Sequence, residues 1–184
     1  MRTAKRLRTH DVADTQRLAG VLAAGFTGGE VVSLTGELGA GKTCFVQGAG
    51  RRLGVDERIT SPSFLLRRDY RGHAGGNHVT VTHFDVYRLD HLGQVDDLGF
   101  DDAGRPGFIT FVEWGDAARA LLPQSYLEVE LKLAEEPAPL VDDPSADERY
   151  DAEPRTVTLI PHGDRWARWL ARIDGQLDPW RKEP

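Results

Sequence analysis

Apolar positions recur along this chain with two periods, and the switches between them mark its elements. Asp11 is a helix-capping residue type, and Val12, Leu18, Val21 and Leu22 behind it form an imperfect apolar stripe. The stripe predicts a helix to about Ala24, broken at Gly28-Gly29. Glu30 to Thr35 reads as a short buried strand around Val31-Val32-Ser33-Leu34, ending at Gly36. A helical pattern then runs from Lys42 to Leu53 and stops at Gly54. Ser63 to Tyr70 reads as a strand and Arg71 to Asn77 as a Gly-rich turn. His78 to Asp85 alternates, placing Val79, Val81, His83 and Asp85 on one face. Phe108 to Val112 is a continuous apolar run ending in Glu113-Trp114. Tyr126 to Leu133 and Thr156 to Ile160 alternate as a β pair. Trp166, Trp169, Leu170 and Ile173 then fall at i, i+3, i+4 and i+7, the spacing of a closing helix against a core. No internal repeat and no second domain emerge.

Between the first strand and the second helix lies Gly36-Glu37-Leu38-Gly39-Ala40-Gly41-Lys42-Thr43, which matches G-x-x-x-x-G-K-[ST]. A loop that wraps a phosphate must turn tightly and aim several backbone N–H groups inward, so glycines recur where a Cβ would clash. The helix that follows adds its N-terminal partial positive charge. Lys42 brings a mobile point charge to the β- and γ-phosphates, and the Thr43 hydroxyl can ligate Mg²⁺. Average residue usage makes the four fixed positions coincide by chance in on the order of one such chain in a hundred. Here they also fall between a buried strand and a helix, where the motif belongs. The expected architecture is α/β: a single P-loop NTPase domain over residues 1–184, with a mostly parallel central sheet, added antiparallel strands and flanking helices.

Such a site needs a carboxylate near the magnesium ion, commonly at the end of a neighbouring strand. Asp85 and Glu113 both stand at predicted strand ends. Together with Lys42 they are the candidate catalytic residues. The spacing leaves open which of the two binds the metal directly and which acts through water. His73, His78 and His83 are evenly spaced, but His78 and His83 differ in strand parity and face apart, which argues against a zinc site. Cys44, on the first turn after the loop, reads as a small packed side chain, and Tyr87 and Trp114 read as core aromatics.

Composition trims the remaining possibilities. No apolar stretch approaches the roughly 20 residues needed to span a bilayer, and the basic Met1 to His10 leads into no signal-like apolar run. A lone cysteine suits a reducing compartment, so the cytoplasm is expected. The net charge of −6 is unevenly spread: Glu135 to Glu153 holds eight acids against Arg149, carrying −7 and leaving +1 for the rest. A near-neutral body lacks the basic footprint of a protein that grips nucleic acid alone. Arg51-Arg52 and Arg67-Arg68 read as solvated faces. The acidic stretch, with Pro137, Pro139 and Pro144, reads as a disordered excursion. Among the lysines none begins K-x-D, which argues against a guanine-reading [NT]-K-x-D motif, and no chain remains for the second domain of an AAA machine. A small-molecule kinase and a nucleotide-dependent binding module remain as alternatives to an ATPase.

The ordered set Gly36 to Thr43, Ser61-Pro62-Ser63-Phe64, His83-Phe84-Asp85-Val86-Tyr87-Arg88-Leu89 and Glu113-Trp114 resembles the TsaE family over roughly Asp11 to Leu133. That resemblance implies Mg²⁺-dependent ATP hydrolysis in support of TsaD and TsaB, which transfer threonylcarbamoyl to adenosine 37 of tRNAs reading ANN codons. The tRNA would then be met indirectly, through the partners. Thr43 and Glu113 become magnesium ligands, with Asp85 supporting metal or water, and Ser61 to Phe64 becomes a switch-like segment facing the γ-phosphate. The family usually has threonine where this chain has Ser63. The implied nucleotide-binding set is Gly36, Glu37, Leu38, Gly39, Ala40, Gly41, Lys42, Thr43, Cys44, Ser61, Ser63 and Arg155, the last approaching the base. Arg88 is the one local candidate for extra positive charge at the γ-phosphate, so hydrolysis is expected to be weak without the partners.

Overall fold

The computed structural model of the chain describes residues 4–63, 66–87, 99–134 and 153–181. Its strands are β1 (Lys5–Thr9), β2 (Glu30–Thr35), β3 (Arg67–Ala74), β4 (Asn77–Asp85), β5 (Phe108–Glu113), β6 (Tyr126–Leu133) and β7 (Arg155–His162). Its α-helices are α1 (Val12–Ala23), α2 (Lys42–Arg52) and α3 (Asp164–Arg172). The strands form one sheet in the order β1-β7-β6-β2-β5-β4-β3. The central four, β6-β2-β5-β4, are parallel, while β7 and β3 flank them antiparallel and β1 closes the β7 edge. This is the expected α/β architecture. The two innermost strands, β2 and β5, read as nearly continuous apolar runs because both sheet faces are covered there.

The larger core lies on the face that presents Val32, Leu34, Ile109, Phe111, Leu127 and Val129 to α1 and α2. Asp11 caps α1 as expected, accepting from Asp14 N at 2.6 Å. The buried stripe of α1 is Leu18, Ala19, Leu22 and Ala23, while Val12 and Val21 are only half-buried. Small residues take the contact because α1 and α2 approach closely: a Cβ at Gly48 would run into the Gln16 backbone. On the opposite face a smaller cluster joins Phe84, Val86, Val112 and Ala118.

Three elements differ from the sequence pattern. β1 was invisible because Leu7 is the one apolar residue in Lys5 to Thr9; the strand exists through its ladder with β7 at the far end of the chain. β3 starts later and ends later than Ser63 to Tyr70, and the Gly-rich turn contracts to Gly75-Gly76, both at positive φ. Gly72 read as a turn signal, yet it lies inside the ladder because a Cβ there would press on Leu53 O and Val81. Arg67 is not a solvated face either, since its guanidinium binds Asp69, Asp102 and the Gly99 carbonyl. The closing helix α3 does form, with Trp166 and Leu170 buried and Phe26 packed against Trp166 and Trp169. The 3₁₀ turn after it, Asp174–Trp180, is pinned where Trp180 Nε1 donates to Asp14 Oδ1 at 2.6 Å.

The acidic excursion lies outside the described residues except for Glu153. Its ends meet: Leu133 pairs with Arg155, and Ala134 N donates to Pro154 O at 2.9 Å. Deleting Ala138 to Ala152 would leave Glu135, Glu136, Pro137 and Glu153 to close the hairpin, within the usual span of about 2–5 residues. The melting temperature is expected to stay within about 2 °C, the shift of a neutral surface change in a chain of this size. A large drop in a thermal melt would mean the segment is structural. Among the described residues no helix is long and apolar enough to cross a membrane.

Candidate active site

The phosphate loop leaves β2 at Thr35 and enters α2 at Lys42. Gly36, Gly39 and Gly41 all take positive φ, at 139°, 82° and 103°. A Cβ at Gly36 would collide with the Leu131 carbonyl, so the turn out of the sheet tolerates only glycine there. Among the described residues no side chain caps the start of α2, which leaves its first-turn N–H groups directed at the loop's concavity. Lys42 Nζ donates to Gly36 O and Glu37 O, each at 2.8 Å, and lies 3.6 Å above the Trp114 ring centroid. Burial pushes the Lys42 ammonium below the ordinary lysine range, while Glu113, Asp85, Asp116 and Glu37 pull it back up. Trp114 itself holds φ +61°, rare for a bulky residue, and this turns its ring toward Lys42 and Tyr87.

The two carboxylates stand level across the sheet. Leu34 of β2 pairs with Glu113 of β5, which pairs with Asp85 of β4, so three adjacent parallel strands end together beside the loop. Glu113 is buried, and its Oε1 accepts from Thr43 Oγ1 at 2.7 Å and meets His83 Nε2 at 2.8 Å. Asp85 Oδ2 accepts from Ser63 Oγ at 2.9 Å and from Ser61 Oγ, while Oδ1 accepts from Tyr87 N at 3.2 Å. Lys42, Thr43, Ser61, Ser63, Asp85 and Glu113 thus line one cleft of about 250 Å³, with Leu38, Gly39, Gly41, Tyr87 and Trp114 completing its wall. A larger cleft of about 380 Å³ beside the C-terminal end of α2, bordered by Gln47, Arg51 and Arg58, holds none of the motifs.

Other expected site residues fall elsewhere. Cys44 is buried, with Sγ 3.5 Å from Val12 O, and does not line the cleft. Arg155 has no exposed surface; it packs beneath Gly41 and donates to Glu153 O at 2.5 Å. Phe64 and Arg88 lie outside the described residues. Tyr87 is no core aromatic but 55% exposed at the cleft mouth, as Leu38 is at 79%. His83 was missed as a site residue. Its signal was parity, since it shares the strand face of Asp85 and its Cα partner Phe111 stands two residues before Glu113.

The model of the family "Threonylcarbamoyl adenosine biosynthesis protein TsaE" matches residues 9–138. The chain belongs to the TsaE family. Its relatives include proteins named tRNA threonylcarbamoyladenosine biosynthesis protein TsaE. The one from Treponema pallidum is 38% identical over 120 residues, covering 65% of this chain and 85% of the relative. The one from Streptomyces coelicolor is 37% identical over 153 residues, covering 83% and 90%. The crystal structure of Bacillus subtilis YdiB superposes with a TM-score of 0.71 at 26% identity, covering 96% of this chain and 97% of that one. The TsaE match encloses the phosphate loop, Ser61, Ser63, Asp85 and Glu113; Arg155 lies beyond it.

The cleft's donors suit a hard cation. Among the described residues no three His, Cys, Asp or Glu side chains group as metal ligands. The threonine hydroxyl and the carboxylates at the cleft are oxygen donors, and Mg²⁺ typically takes one or two carboxylates together with phosphate oxygens and water.

Proposed function

We propose that this chain is a Mg²⁺-dependent ATPase of the cytoplasm, a single P-loop domain that supports t6A formation in tRNA together with TsaD and TsaB. The observation that carries the reading is the level ending of three parallel strands. It puts the phosphate loop, Lys42 and the two carboxylates around one cleft. The names of the TsaE relatives supply the pathway.

In this reading the loop's N–H groups and the uncapped start of α2 hold the β- and γ-phosphates. Lys42 exchanges its two carbonyl partners for phosphate oxygens. Bound Mg²⁺, held by Thr43 and Glu113 with Asp85 in support, would neutralise charge that develops on the phosphates. Ser61 and Ser63 keep the Asp85 carboxylate aimed into the cleft, where it can orient an attacking water. Tyr87 and Leu38 at the mouth offer surface to a partner that completes the enclosure.

The test is incubation with γ-labelled ATP and Mg²⁺, with and without purified TsaD and TsaB. Free phosphate is the expected product, slow alone and faster with the partners. A cationic group supplied in trans is worth about 10³–10⁵ in rate at this kind of transition state. A labelled metabolite in place of free phosphate would make the chain a phosphotransferase. Full-speed hydrolysis by the isolated chain would overturn activation by partners.

A further inference from the structure

Resting on the assignment of Glu113 to the magnesium site, the geometry points to His83 as a positioning residue for that carboxylate. His83 has no exposed surface and sits on the apolar face of the sheet, between Val81 and the end of β4, with Phe111 as its Cα partner on β5. Its Nε2 meets Glu113 Oε1 at 2.8 Å, the same oxygen that accepts from Thr43 Oγ1 at 2.7 Å. Its Nδ1 is buried with no hydrogen-bond partner among the described residues.

These facts select one arrangement of the ring. A carboxylate oxygen is an acceptor, so Nε2 must carry the hydrogen; a lone pair there would face a lone pair. With the hydrogen on Nε2, buried Nδ1 presents only a lone pair, which costs less than stranding an N–H donor. A leucine would suit such a site better by packing alone, because a buried unsatisfied polar atom costs stability. The imidazole therefore serves Glu113. Two donors from different elements, β4 and α2, hold Oε1, and among the described residues no hydrogen bond reaches Oε2. That oxygen is left available to the cleft that Glu113 lines. Outer groups that orient a metal-binding carboxylate are worth about 10- to 100-fold in metal affinity or activity.

The experiment is titration of a fluorescent ADP analogue, in EDTA and across a Mg²⁺ series, with thermal melts alongside. It compares wild type, His83→Leu, His83→Gln and Glu113→Ala. Binding in EDTA should stay within about 2-fold in the His83 variants and about 3-fold in Glu113→Ala, because the loop is untouched, while the Mg²⁺ half-saturation rises about 10-fold in His83→Leu. His83→Gln, whose amide nitrogen reaches near the Nε2 position, should return to within about 3-fold of wild type. The melting temperature of His83→Leu should stay within about 3 °C of wild type, because the lost bond to Glu113 is offset by removal of the unsatisfied Nδ1. Wild-type Mg²⁺ dependence in His83→Leu would overturn the proposal, as would equal impairment in the Gln variant. A fall in melting temperature with lost binding in EDTA would overturn it too, by making the role one of shape. Should His83→Leu not fold, His83→Asn, whose amide sits near Nδ1 instead, replaces it with the same expected loss. Unchanged Mg²⁺ dependence in Glu113→Ala would defeat the underlying magnesium assignment instead, which separates the two failures.

Discussion

Lys42→Met is expected to lower ATP affinity by about 10- to 100-fold, the worth of about 1.5–3 kcal/mol for a hydrogen bond to a charged group, and to reduce hydrolysis to background. Lys42 is the loop's one ammonium, and its partners are the Gly36 and Glu37 carbonyls, which phosphate oxygens would replace in the proposed function. The fold should not suffer. Burial holds the folded-state pKa of Lys42 below the ordinary lysine value of 10.5. The folded chain therefore binds that proton less readily than the unfolded chain does. The ammonium works against folding at neutral pH, and this cost vanishes as pH rises past the unfolded value. The melting temperature of Lys42→Met should thus match or exceed that of wild type at neutral pH, and the difference should shrink toward high pH. Tight ATP binding by the variant would remove Lys42 from the site; a collapsed melt would make it structural.

Glu113→Ala is expected to cut ATP turnover by about 10²–10³-fold, the usual cost of losing one element that stabilises charge developing in the transition state. Nucleotide affinity without metal should move by no more than about 3-fold, since the loop's backbone donors remain. Glu113 touches both Thr43 and His83, so its loss unties the first turn of α2 from the end of β4. Single-turnover rates and equilibrium binding, measured separately, divide these effects. Normal turnover in the variant would remove Glu113 from the mechanism.

The elements carrying the site were legible because each depends on local physics. β2, α2 and β5 are read from a buried apolar run, a glycine stop and a second apolar run, and their observed bounds agree to within a residue. The loop was legible because its glycines occupy positions that no side chain can take, and because Lys42 and Thr43 follow at one spacing. Asp85 and Glu113 were legible as strand-end acids.

What the chain's order could not disclose are the relations across strands. β1 exists through pairing with β7, and Gly72 is a strand residue through its closeness to Leu53; neither neighbour is near in sequence. Arg155 matched the expectation of a nucleotide contact only in being near the loop, since tertiary packing puts it beneath Gly41 and out of the cleft. The role of His83 likewise waited on register. A histidine within an alternating strand is ambiguous until the parallel pairing of β4 with β5 sets Asp85 level with Glu113 and brings its ring to that carboxylate. By itself the sequence determined the phosphate loop, the two acids and the α/β order of elements, because backbone sterics and side-chain periodicity act over a few residues. The tertiary structure alone decided which acid meets Thr43 and which meets the serines, because that depends on strand register, which long-range burial sets.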